Sequence, residues 1–383
     1  MKIIFLEEAA NLGGARIATV DLAANLNKLP NVTSLIYDVA GTCEPFIDYC
    51  NSKNIKCNVI APLKRPLIVS STSVLKKVIN ALKLLLRIGK VNHKIRKIIK
   101  QEKPDYIIVN SYRRLIYLLG TNKSTEVCFM AHGWYLPQEI SFFNRWLLRK
   151  VPTKIFCGSQ ATKHAIYANR LLPLKSLYVV RNFIEINDLP KEIAIIPNSD
   201  GCFKILHSAG FTKGKGQLVS VEIARILKER GFKFKLVFTG LIYAQSESKN
   251  YYYQVVELVN KYGLESDIEF IIGKNNVIDY FRACDVLIFP SQTEGFGLVV
   301  MEAMSVRKPV IANSVGGVTD LILDNFTGFL PSHDNAEEYA NIIMRLSSDS
   351  NLYNRITENA YRLVSEAYSA KNQIDSIKKA FQL

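Results

Sequence analysis

Two glutamates in the segment PSQTEGFGLVVMEAM (290–304) carry the strongest chemical signal in this chain. Glu294 lies in the turn TEGFG, which follows the apolar run DVLIF at 285–289. Glu302 lies further on, within LVVMEAM, where nearly every neighbour is apolar. A carboxylate in apolar surroundings is costly unless hydrogen-bond donors surround it. Glu302 therefore needs a partner, which either the protein or a ligand must supply.

The pattern around these glutamates predicts a strand, a glycine-rich turn and a helix that begins near Leu298. Ligands of open α/β sheets bind at the carboxyl ends of the strands, and a helix N-terminus favours anions such as phosphate. Glu302 would reach the region beside the phosphate, where the two hydroxyls of a ribose could pair with it. Backbone amides or a basic side chain of the protein would satisfy it equally well.

A second loop with phosphate-binding chemistry is AGFTKGKGQ (209–217), which follows the strand-like run FKILHS. Its glycines and lysines suit a diphosphate, and they are Gly210, Gly214, Gly216, Lys213 and Lys215. The loop lacks the GxxxxGK[ST] spacing of a P-loop. A solvated basic turn is the alternative interpretation.

Strand-like apolar runs alternate with amphipathic, helix-length stretches in both halves of the 383 residues. This alternation predicts an α/β protein with two doubly wound parallel sheets. The polar segment EINDLPKEIAIIPNSDG (185–201) predicts a linker. We therefore expect domains over 1–184 and 203–365, a linker over 185–202, and a last helix over 366–383 that packs back on the first domain.

The net charge of +15 is concentrated in the first half, where residues 1–190 hold 28 Lys and Arg against 12 Asp and Glu. A basic amphipathic helix is expected at about 73–101, and ISFFNRWLLRKV (140–151) combines aromatic with basic side chains. Such segments can lie on an anionic membrane surface. An ordinary helix with a solvated basic face is the alternative. Nucleic acid is not expected as a partner, because no known binding module is recognisable.

The seven cysteines are odd in number and form no CxxC pair, so metal and disulfide roles are not expected. The N-terminal run MKIIFLEE reads as a strand and not as a signal peptide. No stretch is apolar for the ~18 residues that a membrane span needs.

Taken together, these motifs resemble the family 4 retaining glycosyltransferases of the GT-B fold. The match is densest at P-S-x-x-E-G-F-G-L-x-x-x-E-A-M-x-x-x-x-P-V-I-A, residues 290–312, and continues with VGG at 315–317 and NFTGFL at 325–330. In the first half, GG at 13–14, HG at 132–133, Ser159 and VRNFI at 180–184 also fit. The resemblance implies two Rossmann-like domains that face a central cleft.

The resemblance also implies roles for individual residues. Glu302 would bind the ribose of a nucleotide sugar, Lys215 would hold its diphosphate, and Glu294 would contact the donor sugar near the reacting carbon. His132 would face the donor sugar or the acceptor, and we expect His132 and Glu294 to be the residues closest to the chemistry. Donor binding is expected at Gly14, Gly210, Lys213, Lys215, Glu294, Gly295, Phe296, Gly297, Leu298 and Glu302.

The chain departs from the family pattern in two places. The family usually has an arginine where Phe211 follows Gly210, and the loop to Lys215 is one residue short. Lys213 can replace the missing charge, but without the fork geometry of a guanidinium. Arg307 stands where the family commonly has glycine.

The expected function is a metal-independent, retaining transfer of a sugar from a nucleotide-diphosphate sugar to a glycan or lipid-linked acceptor. A UDP-sugar is favoured over a GDP-sugar, and no cofactor or metal is expected. The resemblance suggests a role in bacterial surface polysaccharide, lipopolysaccharide or capsule, and a cytoplasmic enzyme peripheral to the inner face of the membrane. Two alternatives remain: a catalytically silent, membrane-associated partner of another transferase, and a nucleotide-sugar epimerase of the same fold.

Overall fold

A computed structural model describes residues 1–63, 74–121, 124–133, 140–185, 201–243, 246–273 and 277–381. The chain divides into two compact units. Unit 1 contains Met1–Gly158, Thr162–Val180 and Ile374–Leu383, and unit 2 contains Ser159–Ala161 and Arg181–Gln373. The domain boundaries expected from the sequence remain a prediction, and most of the expected linker falls outside the described residues.

Strands and helices alternate along unit 1. They are β1 (Lys2–Glu7), α1 (Gly14–Asn27), β2 (Thr33–Asp38), α2 (Glu44–Ser52), β3 (Cys57–Val59), α3 (Val74–Glu102), β4 (Tyr106–Val109), a 3-10 helix (Tyr112–Leu118), β5 (Glu126–Ala131), α4 (Phe142–Lys150), β6 (Lys154–Cys157), α5 (Gln160–Ala168) and β7 (Leu177–Val179). The basic helix expected at about 73–101 is α3, and residue 73 lies outside the described residues.

The strands of unit 1 form a parallel sheet in the order β3-β2-β1-β4-β5-β6-β7. Successive side chains of β1 enter different cores, with Ile4 and Leu6 in one and Ile3 and Phe5 in the other. Helices therefore cover both faces of the sheet, which explains why its strands read as continuous apolar runs. The chain runs outward from β1 in one direction and returns to β4 on the other side, so the strand order reverses between β1 and β4.

Unit 2 repeats this pattern. Its elements are β8 (Phe203–Ser208), α6 (Gln217–Glu229), β9 (Phe234–Gly240), α7 (Ser246–Lys261), β10 (Ile268–Ile272), α8 (Ile278–Ala283), β11 (Val286–Phe289), α9 (Leu298–Ser305), β12 (Val310–Ala312), α10 (Ala336–Ser348), α11 (Ser350–Ala367) and α12 (Ala370–Phe381). The second half of α12 belongs to unit 1, where Phe381 stacks on Tyr106 with ring centroids 3.9 Å apart.

The sheet of unit 2 is also parallel, in the order β10-β9-β8-β11-β12. Ile205 and Leu206 of β8 point into separate cores on its two faces. Its strand order reverses between β8 and β11. Ligands of doubly wound sheets bind at such reversals, beyond the carboxyl ends of the strands, so each unit has one expected binding edge.

The helices of unit 1 carry exposed apolar side chains. On α3 these are Ile79, Leu82, Leu85 and Leu86, and on α4 they are Phe142, Phe143 and Trp146. Both helices pack against the 3-10 helix Tyr112–Leu118. None of the helices in the described ranges has the length and apolar content that crossing a bilayer would require.

Candidate functional site

The loops that follow β8 and β11 are bound to each other at the binding edge of unit 2. Gln292 N–H donates to the carbonyl of Gly214 (2.9 Å), and the Ser291 hydroxyl donates to the same oxygen (3.2 Å). Gly216 has φ +77°, and a Cβ there would lie 2.0 Å from the carbonyl oxygen of Pro290. Only glycine fits this close approach. The two motifs found in the sequence therefore form one site.

Lys215 and Glu294 meet across this edge as an ion pair. The same Glu294 oxygen accepts a hydrogen bond from the Ser291 hydroxyl (3.0 Å). The Lys215 ammonium also lies 5.9 Å from the centre of the Phe289 ring. The Glu294 side chain is 13% exposed and that of Lys215 32%, so a cation held by a carboxylate faces the mouth of the site.

The tip of α9 forms the floor of the same site. Gly297 precedes the helix with φ +91°, a left-handed conformation that favours glycine. The helix begins at Leu298, as the sequence predicted. Gly295, Phe296 and Gly297 are buried. The first amides of α9 have no partner within the helix, so its N-terminus, four residues after Glu294, is a place where an anion would be stabilised.

Glu302 lies one turn into α9 and is half-buried. Its backbone carbonyl accepts from the Ser305 hydroxyl (2.6 Å), but no group in the described ranges donates to its side-chain carboxylate. Burial alone raises the pKa of Glu302 to about 7. The protein alternatives for its partner, a backbone amide cap or a basic side chain, are therefore absent from the described part of the chain.

Gly210 and Lys213 occupy the rim of this site. Gly210 accepts a hydrogen bond from the Gln217 side chain (3.1 Å), and a Cβ on it would lie 2.5 Å from the Tyr243 hydroxyl. Lys213 is exposed. Phe211, at the position where the family has arginine, is fully buried and packs edge-on against Tyr252, with ring centroids 5.1 Å apart. This side chain is part of the core of unit 2 and adds no charge to the site.

The sequence analysis did not assign a role to three residues that shape this site. Besides Ser291, Ser159 donates its hydroxyl to the carbonyl of Gly295 (2.9 Å), and a Cβ on Gly317 would lie 2.5 Å from that same oxygen. The family-like motif VGG at 315–317 could have indicated that Gly317 belongs to the site. The position of Ser291 three residues before Glu294 could have indicated a contact between their side chains.

His132 and Gly14 belong to unit 1, and their predicted roles in the site remain a prediction. His132 follows β5, and its Nε2 is buried without a hydrogen-bond partner among the described residues. Burial, together with the charge of Arg16, lowers the pKa of His132 to about 4, so the imidazole is neutral near pH 7. Gly14 is the exposed first residue of α1, two positions before Arg16.

Unit 1 also carries polar side chains at its own strand-order reversal, and the sequence analysis missed them. Asn110, just after β4, donates to both Glu7, at the end of β1, and Thr19. Burial raises the pKa of Glu7 to about 7. Glu8, which follows Glu7, forms ion pairs with Arg87 and Arg114. A lone acid at the end of a first strand gave no signal in the sequence.

A surface groove of about 550 Å³ lies elsewhere on unit 1. Its lining includes Arg149, Tyr167 and Arg170. None of the residues that line it was predicted as a catalytic or donor-binding residue.

Comparison with known proteins identifies this arrangement. Residues 190–363 match the family model of "Glycosyl transferases group 1". These residues contain the loops that follow β8 and β11 and both glutamates. This part of the chain, a little under half of it, is thus similar to the group 1 glycosyltransferases.

Individual relatives agree with this assignment. An uncharacterized glycosyltransferase of Methanocaldococcus jannaschii is 29% identical over 231 residues, which are 60% of this chain and 59% of that protein. The capsular polysaccharide biosynthesis glycosyltransferase CapM of Staphylococcus aureus is 24% identical over 70% of each chain. The chain thus spans less than two thirds of the Methanocaldococcus relative.

The fold is similar to that of a solved structure. Anabaena HepE in complex with UDP and glucose has a TM-score of 0.81 and 21% identity, and the match covers 100% of this chain and 99% of that one. At this identity the likeness shows the fold alone, which is GT-B. The predicted fold class is confirmed.

Proposed function

We propose that this protein is a retaining glycosyltransferase of family 4 that transfers a sugar from a UDP-sugar to a glycan or lipid-linked acceptor. The observation that carries the proposal is the half-buried Glu302 carboxylate, which has no donor among the described residues. It lies one turn inside a helix whose N-terminus and adjacent Lys215 suit a diphosphate. The two hydroxyls of a ribose supply the donors that this carboxylate lacks.

The proposed chemistry is stabilisation of the leaving group. Cleavage of the bond between sugar and phosphate leaves negative charge on the nucleoside diphosphate. Lys215 and the first amides of α9 are placed to stabilise that charge as it develops, because preformed dipoles and cations need no reorganisation. We therefore propose that the reaction needs no divalent metal, and that Glu294 positions the donor sugar while releasing Lys215 to the diphosphate.

A direct test is UDP release from a panel of UDP-sugars with acceptor extracts, with and without a metal chelator. The proposal predicts turnover that survives the chelator, a product of unchanged anomeric configuration by NMR, and no turnover in Glu302→Ala. Glu358→Ala is a matched control, because Glu358 is an exposed carboxylate of unit 2 that pairs with Arg307. Loss of activity in the chelator, or equal activity in Glu302→Ala, would contradict the proposal.

One observation favours a second function. Phe211 replaces a family arginine and is buried in the core, so the site lacks one expected phosphate ligand. A catalytically silent partner of another transferase would tolerate this loss. UDP binding without turnover on any donor, alone or with cell extract, would support this second function.

The relative CapM is named for capsular polysaccharide biosynthesis, and this supports a role in surface polysaccharide for the present chain. We propose that it works at the inner face of the membrane. The exposed apolar side chains of α3 and α4 stand beside basic ones, and this combination suits an anionic lipid surface.

Sedimentation with vesicles tests the membrane proposal. The protein should pellet with vesicles that contain anionic lipid and should not pellet with purely zwitterionic ones. Leu86→Glu, at a side chain 76% exposed, should abolish pelleting, whereas Tyr253→Glu in unit 2, at 65% exposed, should not. Equal pelleting of both variants would refute the assignment of this surface.

A further inference from the structure

A cluster of charges lies at the binding edge of unit 1, where the strand order reverses. Glu8 directly follows β1, and Arg114 lies in the 3-10 helix that follows the neighbouring strand β4. Arg87 reaches the same carboxylate from α3. The cluster stands where a doubly wound sheet binds its ligand.

The contacts in this cluster leave positive charge in excess. Arg114 Nε lies 2.8 Å from one oxygen of Glu8, and Arg87 Nη2 lies 3.5 Å from the other. The Tyr117 hydroxyl also donates to Glu8 (3.2 Å). Within these contacts, one carboxylate faces two guanidinium groups.

Arg87 is the less well satisfied of the two arginines. Its side chain is only 11% exposed, and its Nε is buried without a hydrogen-bond partner in the described part of the chain. Its Nη1 donates to the carbonyl of Ala61 at 3.3 Å, a long hydrogen bond. A largely buried guanidinium with an N–H group that lacks an acceptor favours an anion that can accept two hydrogen bonds from it, above all a phosphate.

The helix that presents Arg87 also presents an apolar face. Ile79, Leu82 and Leu86 follow one another at spacings of three and four residues, so they share one side of α3. Their exposed fractions are 41%, 56% and 76%. Arg87 is the residue after Leu86 and lies roughly 100° further around the helix. Inorganic phosphate would not contact this apolar face. The chain of a lipid phosphate would cover it.

We propose that Arg87 and Arg114 bind the diphosphate of a lipid-linked acceptor, whose lipid chain lies along the exposed face of α3. This rests on the proposed function, since it names the acceptor of that transfer. Glu8 pairs with both arginines in the free protein and competes with the diphosphate for them.

The test uses the full chain and two probes, farnesyl diphosphate and inorganic pyrophosphate. Both are titrated by calorimetry with saturating UDP present, so that the donor site is not available to them. Arg87→Gln and Arg114→Gln should each weaken farnesyl diphosphate binding by about tenfold or more, the value of one charge-assisted hydrogen bond. Arg113→Gln is the matched control, because Arg113 is exposed on the same 3-10 helix and lies over the Tyr112 ring.

A fourth variant separates binding from a merely structural role. Glu8→Gln removes the competing carboxylate and should tighten farnesyl diphosphate binding, a gain that a damaged fold would not produce. The proposal is overturned if Glu8→Gln weakens binding, if Arg113→Gln matches the other arginine variants, or if pyrophosphate binds as tightly as farnesyl diphosphate. UDP affinity, titrated separately, should be the same in all variants, so failure of the donor site gives a different result from failure of this one.

Discussion

The replacement Glu302→Gln should stabilise the free protein and weaken its nucleotide binding at the same time. Burial raises the pKa of Glu302 from an ordinary 4.5 to about 7. Because the folded-state pKa is raised for an acid, the folded protein loses stability as the pH rises from 4.5 to 7. The full loss is about 3 kcal/mol above pH 7, at 1.36 kcal/mol for each pKa unit.

A neutral glutamine avoids this loss. Glu302→Gln should therefore be more stable than the wild type by about 3 kcal/mol at pH 8, and by about half that or less at pH 5.5. Urea unfolding followed by circular dichroism measures the difference at each pH. The exposed variant Glu358→Gln should show no such pH-dependent gain.

Binding should change in the opposite direction. A hydrogen bond to a charged group contributes about 1.5–3 kcal/mol, so losing one ribose contact weakens UDP binding roughly tenfold to a hundredfold. Calorimetric titration with UDP at pH 8 measures this loss. A variant that is less stable than the wild type at pH 8 and binds UDP equally well would show that Glu302 serves the fold, and the reasoning would fail.

Three further predictions concern the same two units. Lys215→Ala should weaken UDP binding by about tenfold to a hundredfold by calorimetry, since it removes a charged phosphate donor, whereas Lys228→Ala on the surface of α6 should bind as the wild type does. Gly317→Ala should lower the melting temperature and abolish UDP binding, because its Cβ would lie 2.5 Å from backbone atoms of the turn before α9. Gly89→Ala, which meets nothing within 4 Å on α3, should raise stability by up to about 1 kcal/mol. The wild type should lose stability as the pH falls from 6.5 to 4, because the folded-state pKa of His132, about 4, lies below the ordinary 6.5. His132→Gln should not show this loss when unfolding is measured at each pH. The same loss in the variant as in the wild type would contradict the prediction.

The candidate donor site could be proposed from the sequence because its residues are close together in the chain. Gly297, Leu298 and Glu302 lie within one turn and the helix after it, so their spacing alone fixes their arrangement. The strand that precedes them fixes the edge of the sheet on which they stand. Periodicity likewise predicted the two doubly wound sheets, since buried parallel strands require continuous apolar runs.

The remaining features depend on contacts between distant parts of the chain. Glu8 meets Arg87 and Arg114 only because the sheet brings β1 beside β4 and α3 packs over them. Ser159 reaches Gly295 across more than a hundred residues of sequence. No spacing rule marks such pairs, and a single acid or serine in a loop gives no signal before the fold is known.

The most direct test of this account is a crystal structure of the protein with UDP bound. The account predicts both ribose hydroxyls within about 2.5–3.0 Å of the Glu302 carboxylate, the range of charge-assisted hydrogen bonds, with the diphosphate at Lys215 and the tip of α9. A nucleotide bound elsewhere, or a Glu302 side chain that turns to a protein donor while UDP is present, would contradict it.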